Sequence, residues 1–283
     1  MIILQNTVVH LSSMLAAAAL MTSVLSGCGD SDAGVATAGG GDATAAKSTY
    51  VLVHGAFAGG WAWDRMVPLL EARGHAVVTL DLPAHGTDET PTASATLQGY
   101  TDAVVEVLDS ASQPVILVGH SMGGIVVSQA AEARPDKVNK LVYLAAILID
   151  DGQSLFGDAA AMPDTSATLG SYFEPSVDGL ALRDGWIENA FCPDCSTDDM
   201  ALIKAHQRLE PLDPLGTPIH VTQEKWGSVP RVYIETLQDL SLGTAKQRAF
   251  YNALPCEKVI STDSGHCPFL TKPDELSTAL LAL

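Results

Sequence analysis

The residues most able to do chemistry lie in the pentapeptide Gly-His-Ser-Met-Gly at positions 119–123. Residues 115–118 before it are apolar and β-branched, which predicts a buried strand, and residues 122–133 after it predict a helix that ends before Pro135. A turn this tight between a strand and a helix exposes its serine. The helix N-terminus then points backbone N–H groups at any negative charge that develops nearby. The spacing therefore predicts that Ser121 is a nucleophile.

A serine hydroxyl is a weak nucleophile near neutral pH, so it needs a general base and an acid that orients the base. Among the eight histidines, His266 fits best because its loop directly follows the last predicted strand. The acid should follow the preceding strand, and Asp239 lies there. Asp150 or Asp151, after an earlier strand, is the alternative acid. Asp263 is close to His266 along the chain and is not the first choice.

Acyl transfer from an ester also needs two donors for the oxyanion of the tetrahedral intermediate. The residue after the nucleophile supplies one of them in this type of turn, and here it is Met122. The other should come from the loop after the first strand, His54-Gly55-Ala56-Phe57, where we expect the N–H of Ala56.

The body of the chain alternates predicted strands with predicted helices. Apolar runs that predict parallel strands buried on both faces occur at residues 50–53, 76–80, 115–118, 138–145, 232–234 and 258–260. Helical patterns occupy residues 61–73, 97–108, 122–133 and 244–254, and a last helix follows Pro273. This alternation predicts an α/β fold with a mostly parallel sheet of about six strands and flanking helices.

The alternation stops once, at about residues 150–227, where the sequence is rich in Asp, Gly and Pro and has no comparable strand. We interpret this stretch as an inserted, mostly helical cap on a domain that covers residues 49–283. Such a cap would cover the active site and supply part of its substrate pocket. The candidate pocket residues are Phe57, His120, Leu155, Phe156 and Trp186.

The charge of the chain excludes one class of partner. Its 283 residues include 33 acidic and 15 basic side chains, for a formal net charge of −18. Nucleic-acid binding needs Lys and Arg concentrated on one face, and a field this negative repels polyphosphates. Nucleic acid is therefore not expected as a partner, whereas neutral small molecules remain compatible with the charge.

The first 27 residues carry no charged side chain, and residues 11–25 form an apolar stretch that is too short to span a bilayer comfortably. They match a secretory signal. The sequence Leu-Ser-Gly-Cys at residues 25–28 resembles a bacterial lipoprotein box, which implies that Cys28 is lipidated. Residues 28–48 are small and polar and predict a flexible linker. We therefore expect export to the bacterial cell envelope, with a lipid anchor in the membrane.

The remaining cysteines leave one question open. Cys192 and Cys195 have a spacing that suits either a disulfide or one half of a metal site, and export would permit oxidation. A second pair of metal ligands is missing, since Cys256 and Cys267 lie at opposite ends of the last predicted strand. We expect no metal, and the sequence leaves the disulfide undecided.

Three segments together resemble one family closely. They are the stretch from Val51 to Trp63, the sequence Asp-Leu-Pro-Ala-His-Gly at residues 81–86, and the serine turn at residues 118–124. They are similar to the methylesterase and hydroxynitrile lyase group of α/β hydrolases, and the similarity extends over most of residues 50–283. The resemblance implies an α/β-hydrolase fold, a triad of Ser121, Asp239 and His266, an oxyanion hole of Ala56 and Met122, and no cofactor.

Two positions separate the activities within this group. The lyases carry Thr after the strand-end histidine and Lys directly after the catalytic histidine, and here these positions hold Gly55 and Cys267. The resemblance therefore favours a serine carboxylesterase acting on small to medium apolar esters. The alternatives are a hydroxynitrile lyase and a ligand-binding protein of this fold whose hydrolysis is vestigial.

Overall fold

The computed structural model describes residues 47–159 and 169–283. The predicted signal (residues 1–27), the lipidation site Cys28 and most of the predicted linker at residues 28–48 lie outside the described residues. Within the described part of the chain, no helix combines the length and the apolar character that crossing a bilayer requires.

A six-stranded sheet, parallel throughout, forms the centre of the molecule, with the strand order β2-β1-β3-β4-β7-β8. Its strands are β1 (Thr49–Val53), β2 (Ala76–Thr79), β3 (Val115–His120), β4 (Val138–Leu144), β7 (Arg231–Thr236) and β8 (Lys258–Thr262). The six strands predicted from the apolar runs are confirmed. The predicted α/β fold with a mostly parallel sheet is confirmed as well.

Four of the helices that flank the sheet lie close to their predicted positions, and the short helix at Pro268–Thr271 is one that the sequence did not predict. The flanking helices are α1 (Met66–Glu71), α2 (Leu97–Ser110), α3 (Gly123–Ala133), α6 (Thr244–Ala253), α7 (Pro268–Thr271) and α8 (Pro273–Leu281). α1 packs against α8, and α2 packs against α3. One predicted helix, at residues 61–73, is instead a 3₁₀ turn at Gly60–Trp63 followed by the short α1.

The burial of each strand follows its place in the sheet. Every residue of β3 is buried, whereas the edge strands β2 and β8 are largely exposed or half-buried. A strand covered by helices on both faces needs apolar side chains at every position, which is why the inner strands appear as continuous apolar runs in the sequence. The carboxyl ends of these strands carry the candidate catalytic loops.

The segment between β4 and β7 is an insertion in the repeating strand-helix pattern. It contains α4 (Thr197–His206), α5 (Asp213–Gly216) and two single-turn π-helices at Leu155–Ala159 and Ile187–Phe191. It also contains two short antiparallel strands, β5 (Phe173–Pro175) and β6 (Leu180–Leu182). No pattern in the sequence predicts them. Runs of three residues are too short to give a reliable strand pattern in a sequence.

Cys192 and Cys195 form a disulfide within the insertion. Asp194, inside the loop that the disulfide closes, accepts a hydrogen bond from the backbone N–H of Gly265 at 3.0 Å. The disulfide therefore holds a short loop of the insertion against the segment that carries His266.

We predict that reducing this disulfide lowers the free energy of unfolding by about 2 kcal/mol, because the cross-link restricts the unfolded chain over a short loop. Denaturant unfolding of the wild type with and without dithiothreitol measures the effect. A Cys192→Ala/Cys195→Ala double variant should be insensitive to the reductant, and Cys256→Ala, which removes a free thiol, should respond like the wild type. Equal stability of the reduced and oxidised wild type would contradict this prediction.

Candidate active site

Ser121 lies in a strained turn between β3 and α3. Its φ of 53° falls in the left-handed region, which costs a residue with a Cβ free energy unless its surroundings fix it. Its N–H donates to the carbonyl of Leu144 at 3.2 Å, and its own carbonyl accepts the N–H groups of Gly124 and Ile147, each at 3.0 Å. The turn is therefore held by both its own helix and the neighbouring strand β4.

Two glycines make this turn possible. A Cβ at Gly119 would lie 2.6 Å from the carbonyl oxygen of Gly123, and a Cβ at Gly123 would lie 2.7 Å from the carbonyl oxygen of His54. Neither backbone oxygen can move without breaking the turn or the end of β1. The glycines on each side of the serine are thus required by close backbone approach.

His266 and Asp239 are brought together although they are 27 residues apart in the chain. His266 lies between β8 and α7, and Asp239 lies in the loop after β7. Nδ1 of the imidazole is 2.7 Å from Oδ2 of the carboxylate, and both side chains are buried. Because a carboxylate accepts, Nδ1 is the donor, and the other ring nitrogen is left to act as a base.

The second nitrogen of His266 has the environment that a base needs. Nε2 is buried and has no hydrogen-bond partner among the described residues. The ring also packs against His120, with centroids 4.6 Å apart, and His120 directly precedes Ser121. An unpaired buried nitrogen normally costs free energy, so its retention beside a serine turn indicates a functional role.

Asp239 is fixed by donors on both of its oxygens. Oδ1 accepts the N–H groups of Ser241 and Leu242, each at 2.8 Å, and Oδ2 accepts the hydroxyl of Thr236 at 2.9 Å and the amide of Gln247 at 3.1 Å. These four hydrogen bonds fix the orientation of the carboxyl group, with Oδ2 toward Nδ1 of His266. Gln247, on α6, was not identified from the sequence, since nothing in a helix of mixed polarity marks it.

The other candidate acids have different surroundings. Asp150 and Asp151 are exposed, and Asp151 accepts the N–H of Val221 at 3.0 Å. Asp263 is exposed and accepts from the side chain of Gln238 at 3.2 Å. None of the three makes a hydrogen bond to His266 in the described part of the chain, whereas Asp239 does.

The side chain of His120 makes a hydrogen bond within the fold. It is buried, and its Nε2 lies 2.9 Å from the carbonyl oxygen of His266, so this nitrogen carries the proton and donates. Burial, together with the nearby imidazole of His266, holds the pKa of His120 well below its usual range. His120 is therefore neutral and ties the end of β3 to the backbone of His266.

The loop after β1 is oriented by His54. Its Nδ1 donates to the carbonyl of Gly55 at 2.8 Å, and its Nε2 accepts the N–H of Leu82 at 3.1 Å. Burial and the neighbouring His85 lower the pKa of His54 to about 3, so the ring is neutral with a fixed tautomer. Because a trans peptide is planar, holding the Gly55 carbonyl toward His54 turns the N–H of Ala56 to the opposite side.

The two candidate oxyanion donors remain unused within the fold. The N–H groups of Ala56 and Met122 donate to no acceptor among the described residues. The Ala56 loop also lies against the serine turn, because a Cβ added at Gly55 would be 2.8 Å from Cβ of Ser121. Two free N–H groups beside a strained serine have the chemistry of an oxyanion hole.

Aromatic rings from the insertion and from the Ala56 loop form a continuous series of contacts that runs from Phe156 through Phe57 to His266. We call this set the aromatic wall; it consists of Phe57, Phe156, Phe173, Trp186 and Phe191. Consecutive ring centroids are 5.0 to 6.3 Å apart, and the ring of Phe191 lies 5.6 Å from that of His266. Of the five predicted pocket residues, Phe57, Phe156 and Trp186 belong to this wall. Leu155 is partly buried against the core, and His120 packs behind His266.

No group of three or more His, Cys, Asp or Glu side chains is arranged to hold a metal ion within residues 47–159 and 169–283. The chemistry that these residues can support is proton transfer between an imidazole and a serine hydroxyl, next to two free N–H donors and an apolar wall.

Comparison with known proteins agrees with this architecture. Residues 50–279 match the alpha/beta hydrolase family. Salicylic acid-binding protein 2 of Nicotiana tabacum is 32% identical over 264 residues, covering 83% of this chain and 96% of that protein. Methylesterase 7 of Arabidopsis thaliana is 31% identical over 265 residues, covering 84% of this chain and 96% of that protein.

A solved structure extends the similarity to three dimensions. The crystal structure of polyneuridine aldehyde esterase superposes with a TM-score of 0.74 at 27% identity, covering 83% of this chain and 98% of that one. The family match covers most of the chain, and Methylesterase 7 is 31% identical to it over 84% of its length, so the chain belongs to the alpha/beta hydrolase family and is of its methylesterase type.

Proposed function

We propose that the protein is a serine carboxylesterase that hydrolyses small to medium apolar carboxylic esters through Ser121, His266 and Asp239. The observation that carries the proposal is the buried bond between His266 and Asp239, which leaves Nε2 of the imidazole unpaired beside the serine turn. The esterase relatives support the reaction class, and the fixed orientation of Asp239 supports its role as the acid.

The proposed reaction is acyl transfer in two halves. Nε2 of His266 accepts the proton of the Ser121 hydroxyl as the serine oxygen attacks the ester carbonyl, and Asp239 stabilises the resulting imidazolium. The N–H groups of Ala56 and Met122 bind the oxyanion. The alcohol leaves with the proton from His266, and water then repeats the sequence on the acyl-serine to release the acid. No cofactor takes part in any of these steps.

The substrate class follows from the aromatic wall. Within the wall, Trp186 and Phe191 connect the ring of Phe57 to that of His266. The proposal places the acyl or alcohol part of the ester against these rings. Burial of an apolar group against such rings is favourable, while a charged group would lose its hydration without gaining a partner. A net charge of −18 also disfavours anionic substrates.

The position after His266 argues against the lyase alternative. Cys267 is buried, and its thiol donates to the carbonyl of Phe191 at 3.6 Å. Burial and the nearby carboxylate of Asp239 raise the pKa of this thiol well above its usual range, so the side chain is neutral. A neutral thiol cannot stabilise a departing cyanide anion as a cation would.

We predict that Ser121→Ala lowers kcat for p-nitrophenyl butyrate on the order of 10⁶-fold, because the acyl-enzyme can no longer form. The absorbance of released p-nitrophenolate gives the rate. Ser110→Ala, on the exposed surface of α2, is the control, and its kcat should match that of the wild type. Turnover by Ser121→Ala at the wild-type rate would refute the serine mechanism.

The two alternative functions give different results with the wild type. Cyanide release from mandelonitrile would favour the lyase, and one ligand bound per chain without turnover would favour the vestigial hydrolase.

We predict that Asp239→Asn lowers kcat about 10⁴-fold, because an amide at this position stabilises the wrong tautomer of His266 and no imidazolium. Asp263→Asn is the matched control. It changes an exposed carboxylate in the His266 loop and should leave kcat within about twofold of the wild type, as exposed substitutions usually do. A large loss in Asp263→Asn with little loss in Asp239→Asn would reverse the assignment of the acid.

We also propose that the protein is an exported lipoprotein of the bacterial cell envelope, anchored through Cys28. The support is the uncharged apolar stretch at residues 11–25 followed by Leu-Ser-Gly-Cys at residues 25–28. One acyl chain gives only marginal membrane binding, so stable anchoring requires more than one chain on the mature N-terminus.

Expressed in a bacterial host, the full chain should sediment with membranes and incorporate a labelled fatty acid, because Cys28 is its acyl acceptor. Cys28→Ser should abolish both, whereas Cys256→Ser should abolish neither. Membrane fractionation with intact-mass analysis provides the readout. Incorporation of label into the Cys28→Ser variant would exclude this anchor.

A further inference from the structure

A carboxylate of the insertion reaches the loop that carries the candidate oxyanion donor. Glu210 is fully buried, and its Oε2 accepts the N–H of Phe57 at 2.7 Å. The same oxygen lies 2.9 Å from Nε2 of His85, whose side chain is also fully buried. Glu210 and His85 are 125 residues apart in the chain, so this pair joins two distant parts of the fold.

The pair is ionic. Nδ1 of His85 lies 3.1 Å from the carbonyl of Pro83, and a carbonyl only accepts, so both ring nitrogens act as donors and the ring is an imidazolium. Burial alone would lower the pKa of His85, but the charge and the hydrogen bond of Glu210 offset it and raise the pKa above the usual value. The ring of His54 and the hydroxyl of Tyr100 complete the surroundings of His85.

Phe57 has a backbone conformation that needs support. Its φ is 60°, in the left-handed region, which is unfavourable for a bulky residue. The bond to Glu210 fixes the Ala56–Phe57 peptide, and the bond from His54 to the Gly55 carbonyl fixes the peptide before it. The N–H of Ala56 belongs to the latter peptide, and the two peptides meet at the Cα of Ala56, so the bond to Glu210 restricts the backbone on the other side of that atom.

The backbone around Glu210 is itself anchored. Glu210 and Leu180 exchange two backbone hydrogen bonds at 2.8 and 2.9 Å, which attach this segment to β6. The guanidinium of Arg208 donates to the carbonyls of Gly86 and Asp88 at 2.9 and 3.0 Å. The carboxylate is therefore presented by a segment that is fixed to both the insertion and the loop after β2.

We propose that Glu210, paired with His85, is a positioning residue that holds the oxyanion loop in its active conformation. It acts through the Phe57 N–H and does not touch the substrate. The proposal rests on the esterase function proposed above, and it adds that the insertion helps to build the catalytic site as well as to cover it.

The test uses p-nitrophenyl butyrate as substrate and an aryl trifluoromethyl ketone, whose serine adduct carries an oxyanion, as a probe of the oxyanion hole. In Glu210→Ala we expect kcat to fall about 10²-fold with KM within about threefold of the wild type, and the affinity for the ketone to fall in parallel. Glu210→Gln keeps an oxygen that can accept both donors, so its kcat should lie three- to tenfold below the wild-type value. Rates are normalised to the folded fraction measured by circular dichroism.

Asp199→Ala is the matched control. Asp199 is also a buried carboxylate that ties the insertion to the body of the fold, through Arg65, but it contacts no part of the oxyanion loop. It should lower the unfolding temperature and leave both kcat and ketone affinity within about twofold of the wild type. This separates the positioning of Phe57 from general stabilisation of the insertion.

If the wild type hydrolyses the ester and Glu210→Ala has the same kcat and ketone affinity as the wild type, this inference alone is overturned. Equal losses in Glu210→Ala and Asp199→Ala would overturn it as well, since the effect would then come from stability. If Glu210→Ala does not fold, Glu210→Leu, which keeps the bulk of the side chain but has no acceptor for the Phe57 N–H, decides the question, because unchanged kcat and ketone affinity in that variant would contradict the proposal. Absence of ester turnover in the wild type would instead refute the proposed function.

Discussion

The site depends on one backbone constraint, the left-handed turn at Ser121. This turn holds the serine above the end of β3 only because Gly119 and Gly123 allow the strand, the helix and the end of β1 to approach within contact distance. The same close approach brings the Ala56 loop against Cβ of Ser121 and places His120 where it can bind the backbone of His266. The proposed nucleophile, base and oxyanion donors are thus positioned by one junction of the sheet.

Around this junction the insertion between β4 and β7 contributes more than a cover. Asp194 accepts the N–H of Gly265 next to His266, the ring of Phe191 packs on the His266 imidazole, and Glu210 accepts the N–H of Phe57. The insertion therefore contacts both loops that the proposed chemistry uses. A change in the insertion that alters substrate preference is expected to alter catalytic rate as well, because the same segment serves both.

Much of this arrangement could be predicted from the sequence, for physical reasons that differ by element. Parallel strands buried on both faces leave continuous apolar runs, so the six strands of the sheet were identified. A serine between glycines at a strand end is a local pattern, and His266 and Asp239 follow consecutive strands, so the structure could be expected to bring them near one another.

Other features of the structure could not be predicted from the sequence. β5 and β6 have three residues each, which is too short for a periodic pattern. Glu210 lies in a segment of mixed charge, and its partners His85 and Phe57 are 125 and 153 residues away, so the pairing is visible only in three dimensions. The sequence does not decide whether Cys192 and Cys195 form a disulfide, because their spacing also suits a pair of metal ligands. In the structure the two cysteines are bonded to each other.

The most direct test of the central claim is mass spectrometry of the protein after reaction with one equivalent of a p-nitrophenyl alkylphosphonate, which traps an activated serine as a stable adduct. If Ser121 is the nucleophile, one phosphonyl group is expected per chain, located on the peptide that contains Ser121, with one p-nitrophenolate released. An unmodified chain, or an adduct on a different residue, would contradict this assignment.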